Sequence, residues 1–401
     1  MTTFAVHRKE PLLVNPAEPT PRETKRLSNI DDREHYRMHV RVVFFYRGAC
    51  QRDDPAIVTS SGAHSARRWC RTTRSCERWR EGNWWLTAPA RACCSWRPTP
   101  SVRLEELEAA GLRPPFPCAD QLLFDVEGSS GVLNSPLLLI QVTRLLCGGF
   151  VFAICFNHTM CDGTGIVQFL SAVAEHARGL PAPSVTPACS RELLEMRKPP
   201  KPVFPHREFS DIPPPPLGDI ITRTFIFGSA DVTAIKKSLP PHLQNEATSF
   251  EELKFPELML PTGYYGNAGV LSVLPTTAGT LLAGLLGDAV ELVRKAKAQV
   301  TAAEYERWCT LDFQMHWDQP CMLLANLFLV SDIRHVGLHH VDFGWGEPVY
   351  GGFMDGMFIG NGIVTMKNEN GEDVVAVPVA LPCSAMDRFS LEIDNLLKAC
   401  Y

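Results

Sequence analysis

The stretch from Pro136 to Leu180 constrains the fold more than any other part of the chain. Two apolar runs, PLLLIQVTRLL and FVFAICF, flank Cys147-Gly148-Gly149. Runs of that length with glycine punctuation between them predict a β-hairpin. The second run leads into His158-Thr159-Met160-Cys161-Asp162-Gly163-Thr164-Gly165. Beyond it, Ile166, Val167, Phe169, Leu170 and Val173 recur at helical spacing, and Gly179 stands just past their end. Residues 158–164 therefore form a strand-to-helix turn, the junction of an α/β protein.

A histidine at a strand end, ahead of a tight glycine-rich turn, can project into a cleft. Neutral imidazole suits a general base that takes a proton from an alcohol or an amine. Asp162, four residues on, can orient the turn or hold the ring. A histidine that merely satisfies buried backbone groups fits the same short pattern, so His158 and Asp162 alone do not decide the chemistry.

The 401 residues are enough for two or three domains, each with a core. Residues 1–180 and 216–401 read as two α/β halves, joined by an exposed proline-rich connector over 181–215. In the second half, LLGDAVELVRKAKAQVTAAEYERW predicts a helix, VVAVPVALP a strand and SAMDRFSLEIDNLLKAC a terminal amphipathic helix. RHVGLHHVDFGWGEPVYGG is glycine-rich and reads as loop. A net charge of −5 gives the chain as a whole no drive toward nucleic acid or anionic membrane. The N-terminal stretch lacks a signal-peptide apolar core, and no run of about 18 apolar residues predicts a spanning helix. Fourteen cysteines without a regular framework are read as reduced thiols, so cytoplasm is the expected compartment.

FNHTMCDGTGIVQFL, with its HxxxD spacing, and DFGWG (Asp342–Gly346) resemble the plant BAHD acyl-CoA-dependent acyltransferases of secondary metabolism. LLVNPAEPTPRETKRLSNIDD, PLLLIQVTRLLCGGF, LPTGYYGN and LVRKAKAQV are similar to the same family, in its alcohol acyltransferase and benzyl alcohol benzoyltransferase branch. The resemblance implies a two-domain, chloramphenicol-acetyltransferase-like α/β fold with a channel between the domains. It implies an acyl-CoA co-substrate, an alcohol acceptor, no cofactor or metal, and a monomer without nucleic-acid or membrane partners. His158 would deprotonate the hydroxyl that attacks the thioester. Asp162, Gly163 and Gly165 would support the site structurally. Asp342, Phe343, Gly344, Trp345 and Gly346 would shape the donor end of the channel.

The chain departs from that family in two places. Near residue 254, TSFEELKFPELMLPTGYYGN jumps over about thirty residues that relatives carry. The arginine that pairs with the motif's aspartate falls in that gap, and no arginine stands between Arg223 and Arg294. Asp162 is thus expected to lack its partner. The other departure is residues 63–99. Eight arginines, five tryptophans and Cys70, Cys76, Cys93 and Cys94 crowd this region. Nucleic-acid binding would need an accompanying fold motif, and the cysteine spacings do not fit zinc knuckles. A shifted reading frame fits better. Trp69 into Cys70 and Trp84 into Trp85 are forced to Val, and Asn83 into Trp84 and Cys93 into Cys94 to Leu, as the family would have them. The rival to an acyltransferase is therefore a family member without turnover, altered in these segments. The coding DNA across 55–102 and 250–260 decides between an altered chain and a natural one.

Overall fold

The computed structural model describes residues 12–14, 24–28, 30–32, 36–48, 75–80, 83–87, 92–97, 102–116, 119–124, 137–194, 219–244, 260–269, 276–299, 330–354 and 361–400. For 12–14, 24–26, 75–80, 83–87, 92–97, 299 and 361 it describes the main chain only. Residues 63–74, the side chains of the arginine- and cysteine-rich segment, the connector beyond 194 and the jump near 254 lie outside this set.

The first described elements are β1 (Leu12–Val14), β2 (Thr24–Arg26), β3 (His39–Tyr46), β4 (Ser75–Arg80), β5 (Asn83–Thr87) and β6 (Ala92–Arg97). Next come α1 (Leu104–Ala109), α2 (Ala119–Leu122), β7 (Leu138–Arg144), β8 (Phe150–Asn157) and α3 (Gly163–Ala177). After them follow β9 (Ile220–Phe227), α4 (Ser229–Ser238), α5 (Pro241–Gln244), α6 (Ala278–Ala283) and α7 (Leu286–Gln299). The chain ends with β10 (Val330–Asp332), β11 (Tyr350–Phe353), β12 (Asn361–Lys367), β13 (Asp373–Pro382) and α8 (Cys383–Cys400).

Ten strands form one sheet in the order β1-β6-β7-β8-β3-β11-β12-β13-β9, with β10 paired to β12 off that path. β2, β5 and β4 form a separate three-stranded sheet. The predicted hairpin is β7–β8, paired antiparallel from Leu138↔Phe156 to Arg144↔Phe150. All eight residues of β8 are buried. A strand covered on both faces reads as an unbroken apolar run, and FVFAICFN is one. β3 pairs with β8 from His39↔Asn157 to Tyr46↔Phe150, so the two strands end together at the histidine turn.

The predicted helix is α3. Ile166, Phe169, Leu170 and Val173 are buried, as their spacing requires, and Val167 packs at the edge of the core. At its C-terminus Gly179 takes φ +91° and Leu180 N–H reaches back to the Glu175 carbonyl, closing the last turn. The predicted strand is β13, which pairs antiparallel with β12, and the predicted terminal helix is α8, whose Phe389 packs edge-on against Phe225 of β9 at 5.3 Å. Helix α7 covers the described part of the predicted 285–308 helix.

One expectation is corrected. The tail of the glycine-rich loop is a strand: β11 pairs with β3 over Tyr350↔Phe45 to Phe353↔Val42 and meets β12 at Tyr350↔Met366. It thereby joins strands from the two ends of the chain. Its glycines permit close packing: a Cβ on Gly351 would lie 2.9 Å from the Phe44 ring. Short 3-10 turns at Arg334–Val336 and Leu338–His340 open that stretch, and residues 341–349 between them and β11 are loop. Among the described residues no helix is long and apolar enough to cross a membrane.

Candidate active site

The chain leaves β8 at Asn157 and turns at once. Asn157 Oδ1 accepts from the Thr159 amide at 3.1 Å and the Thr159 hydroxyl at 2.7 Å, and the Met160 amide donates to the Asn157 carbonyl. This Asx-type turn converts strand into helix entry. It leaves His158 half-buried at the sheet end, its amide bonded to the Met38 carbonyl at 2.9 Å. The His158 ring stacks on Tyr36, with centroids 4.4 Å apart and planes 21° apart. Its Nδ1 is buried without a hydrogen-bond partner among the described residues. Burial lowers the imidazole pKa below its ordinary value, against smaller opposing effects of its own main chain, Asn267 and Asp31. The ring is therefore neutral near pH 7.

Asp162 caps α3. Its Oδ1 accepts from the Gly165 amide at 3.0 Å, and its Oδ2 from the Ala268 amide at 3.1 Å. Among the described residues no cation pairs with it. Burial raises the pKa of this carboxyl, while the amides of Gly165, Ala268 and Thr164 work in the other direction. Its described hydrogen-bond donors are backbone amides. Gly165 is required sterically, because a Cβ there would sit 2.1 Å from the Tyr265 carbonyl oxygen. At Gly163 a Cβ would only touch Val336, at 3.4 Å.

Beneath the turn lies a buried polar network. Asn267 Nδ2 donates to the His158 carbonyl at 2.8 Å and to Asp31 Oδ1 at 2.8 Å, and its amide reaches the same Oδ1 at 2.9 Å. Asp31 forms an ion pair with Arg191, and Arg191 Nη2 donates to the Met160 carbonyl at 2.7 Å. Asp31 is 0% and Arg191 3% exposed. Burial works against the Arg191 charge, but Asp31 and the Tyr265, Tyr264 and Cys189 groups together raise its pKa above the ordinary value. Burial first, and then Asp162, keep Cys161 a thiol.

Asn267, Asp31, Arg191 and Tyr36 are site residues that sequence reasoning did not single out. Asn267 ends the LPTGYYGN string and Asp31 lies in SNIDD, so both stood in stretches that drew notice. Nothing in either stretch says that it meets His158. Those contacts span 236 residues between Asp31 and Asn267 and 109 between His158 and Asn267.

The DFGWG loop is not brought to His158. Asp342 Oδ1 accepts from the Gly344 amide at 2.6 Å and the Gly346 amide at 2.8 Å, which closes the loop on itself. Phe343 is buried against Phe152 at 4.9 Å and Tyr46 at 5.6 Å, and Trp345 meets Phe150 edge-on at 5.4 Å. Tyr46 Oη donates to the Val341 carbonyl, and Arg178, just past α3, donates to the Asp342 carbonyl. These partners lie at the start of β8 and the end of α3, whereas His158 lies at the opposite ends of both. Eight strand residues separate the two places by roughly 25 Å. A cleft of about 310 Å³ beside Leu112, Arg113, Ile226 and Val349 also opens at the end away from His158. No group of three or more His, Cys, Asp or Glu side chains among the described residues could hold a metal ion.

Residues 99–256 and 252–396 match the sequence model of the Transferase family. The two pieces meet where TSFEELKF runs into LPTGYYGN, and the match begins where the arginine-rich segment ends. Benzyl alcohol O-benzoyltransferase of Petunia hybrida is 40% identical over 439 residues, covering 98% of this chain and 94% of the relative. (Z)-3-hexen-1-ol acetyltransferase of Arabidopsis thaliana is 38% identical over 448 residues, covering 98% and 96%. Among solved structures, vinorine synthase superposes with a TM-score of 0.63 at 16% identity, covering 98% of each chain. F. graminearum TRI101, complexed with coenzyme A and T-2 mycotoxin, gives 0.70 at 15% identity, covering 92% of this chain and 97% of that one. At such identities the structures speak for the fold alone, and it is the two-domain α/β fold that the sequence motifs implied. On the strength of the family match and relatives aligned over nearly its whole length, the chain belongs to the Transferase family of BAHD acyltransferases.

Proposed function

We propose that the chain transfers an acyl group from an acyl-CoA thioester to an alcohol hydroxyl, with His158 as general base. The observation that carries this reading is the imidazole itself. It is neutral, stands at the mouth of a strand-to-helix turn, and is held by stacking and main-chain bonds rather than by a carboxylate. Two of the relatives are named for transfer to benzyl alcohol and to (Z)-3-hexen-1-ol, so an alcohol acceptor is the reading they favour.

In this mechanism Nδ1 is buried, which leaves Nε2 to meet the acceptor hydroxyl. As the oxygen attacks the thioester carbonyl, Nε2 takes its proton and the carbonyl electrons move onto oxygen. The tetrahedral oxyanion collapses, the C–S bond breaks, and the CoA thiolate leaves with the proton that the imidazolium returns. The products are ester and free CoA. Burial serves the step by keeping the ring unprotonated before attack. Asp162 and Gly165 act by fixing the turn, and the DFGWG loop by packing the far end of β8 and α3.

The test is release of free thiol from acetyl-CoA or benzoyl-CoA with benzyl alcohol or a hexenol as acceptor. Wild-type protein should turn over, and His158→Ala should lower the rate by about 10²- to 10⁴-fold, the usual share of a general base. Soluble, folded protein that releases no CoA with either donor would defeat the enzyme reading. Unchanged turnover in His158→Ala would remove His158 from the mechanism.

A further inference from the structure

Four stretches distant in the chain converge under the His158 turn: residues 28–32, the turn itself, the 3-10 helix Arg191–Leu194, and residues 264–268. Arg191 is their common charge. We propose that Arg191 is a positioning residue for His158, acting through the Met160 carbonyl and through Asp31. The inference rests on the reading of His158 as the general base.

Two routes run from the guanidinium to the base. The short one is Arg191 Nη2 to the carbonyl of Met160, two residues past His158. The other passes through the ion pair to Asp31, from Asp31 Oδ1 to Asn267 Nδ2, and from Nδ2 to the His158 carbonyl. A turn held at both carbonyls cannot rotate without breaking one route. Asp31 is itself fixed: Ser28 Oγ and the Ser28 amide donate to its Oδ2. The guanidinium lies 5.4 Å over the Tyr265 ring, which limits its rotation.

Energetics favour a positioning role over a purely stabilising one. Taking two charges out of water costs several kcal/mol per ion, and a buried pair often recovers no more than that. What such a pair provides is a defined geometry with a steep penalty for leaving it. The residue type fits. A planar guanidinium can donate to a carbonyl and a carboxylate at once, whereas one ammonium cannot match that fork. The acid within the turn, Asp162, offers no ionic tether of its own among the described residues. Arg191 thus supplies the charged donor that grips this turn from outside. A displacement of the base by about 1 Å can cost around a hundredfold in rate.

The experiment compares full-length wild type, Arg191→Lys, the pair Asp31→Asn with Arg191→Met, and His158→Ala. Thermal melting and steady-state thiol release are measured on each. The paired change removes both charges and leaves none buried alone, so it separates folding from positioning. Its kcat should fall about 10- to 100-fold while KM for acyl-CoA stays within about threefold. Arg191→Lys should recover part of the lost kcat, because it keeps the ion pair and loses the Met160 tether. A folded paired variant with wild-type kcat, or one whose defect lies in KM alone, overturns the inference. If the paired variant does not fold, Arg191→Lys with wild-type kcat overturns it. If neither folds, Arg191 is a structural residue and the inference fails. Turnover lost in His158→Ala but kept in the paired variant sinks this inference alone. Turnover kept in His158→Ala, or absent from wild type, sinks the reading of His158 together with it.

Discussion

His158 is neutral because the protein takes it out of water, and that has a sign in pH. Burial depresses its folded pKa, so the base form persists below the ordinary histidine value of about 6.5. The acid limb of kcat/KM should therefore have its midpoint below 6.5, and a midpoint above that value would contradict the burial seen here. Stability follows the same ring. Between the folded pKa and 6.5 the unfolded chain binds more protons, so this group's contribution is present above pH 6.5 and is lost as pH falls through that window.

Asp162 carries a different load. It caps α3 and also satisfies the Ala268 amide, a contact between residues 106 apart in sequence. Asp162→Ala removes a cap worth about 0.5–2 kcal/mol and strands a part-buried amide at about 1–3 kcal/mol. Denaturant unfolding should show a loss of about 1.5–5 kcal/mol, and an unchanged midpoint would show that Asp162 holds nothing. The raised carboxyl pKa has the opposite sign to the histidine. The folded state binds more protons between 3.8 and the raised value, so ionising Asp162 costs stability as pH rises through that window. Gly165 tolerates still less. Gly165→Ala drives a methyl into the Tyr265 carbonyl and the Cys161 Cβ, and neither is the far end of a flexible side chain that could give way. That variant should lose soluble, active protein.

At the scale of elements, β8 and α3 form a unit with the histidine turn at one end and the DFGWG loop at the other. Phe343 pins the far end inside the aromatic cluster of Tyr46, Phe150 and Phe152. Phe343→Ala should cost about 3–5 kcal/mol of stability. What remains folded should turn over within a few fold of wild type, because the loop lies roughly 25 Å from His158. A kcat collapse in folded Phe343→Ala would place the loop in the chemistry. These elements were legible in the sequence for local reasons. FVFAICF is long enough to be a buried strand, the Ile166–Val173 spacing is helical, and Gly179 marks the stop. β11 was not legible, because YGGF carries the punctuation of a loop. Its strand state comes from Phe44 and Met366 on either side.

Across the whole molecule, one sheet carries residues from both ends of the chain, with β3 and β8 near its middle and β11 as the joint. Strands buried on both faces open only with global unfolding, while α6 contributes no buried residue and leaves Leu282 84% exposed. Hydrogen exchange should find the slowest amides in β3 and β8 and fast ones in α6. Protection of α6 equal to that of β8 would mean that its apolar side is covered in solution.

The sequence by itself determined the strand–turn–helix junction, the place of His158 in it and the family, because each is written in neighbouring residues and a few fixed spacings. It also marked the two irregular stretches, around 63–99 and near 254, by contrast with that family. Tertiary structure alone decided what holds His158. Tyr36 stacks on His158, Asn267 grips its carbonyl, Arg191 and Asp31 lie buried beneath it, and the amides of Gly165 and Ala268 hold Asp162. The physical reason is separation. A buried hydrogen bond between residues 31 and 267 leaves no periodicity or spacing in either stretch, and exists only once the chain has closed on itself.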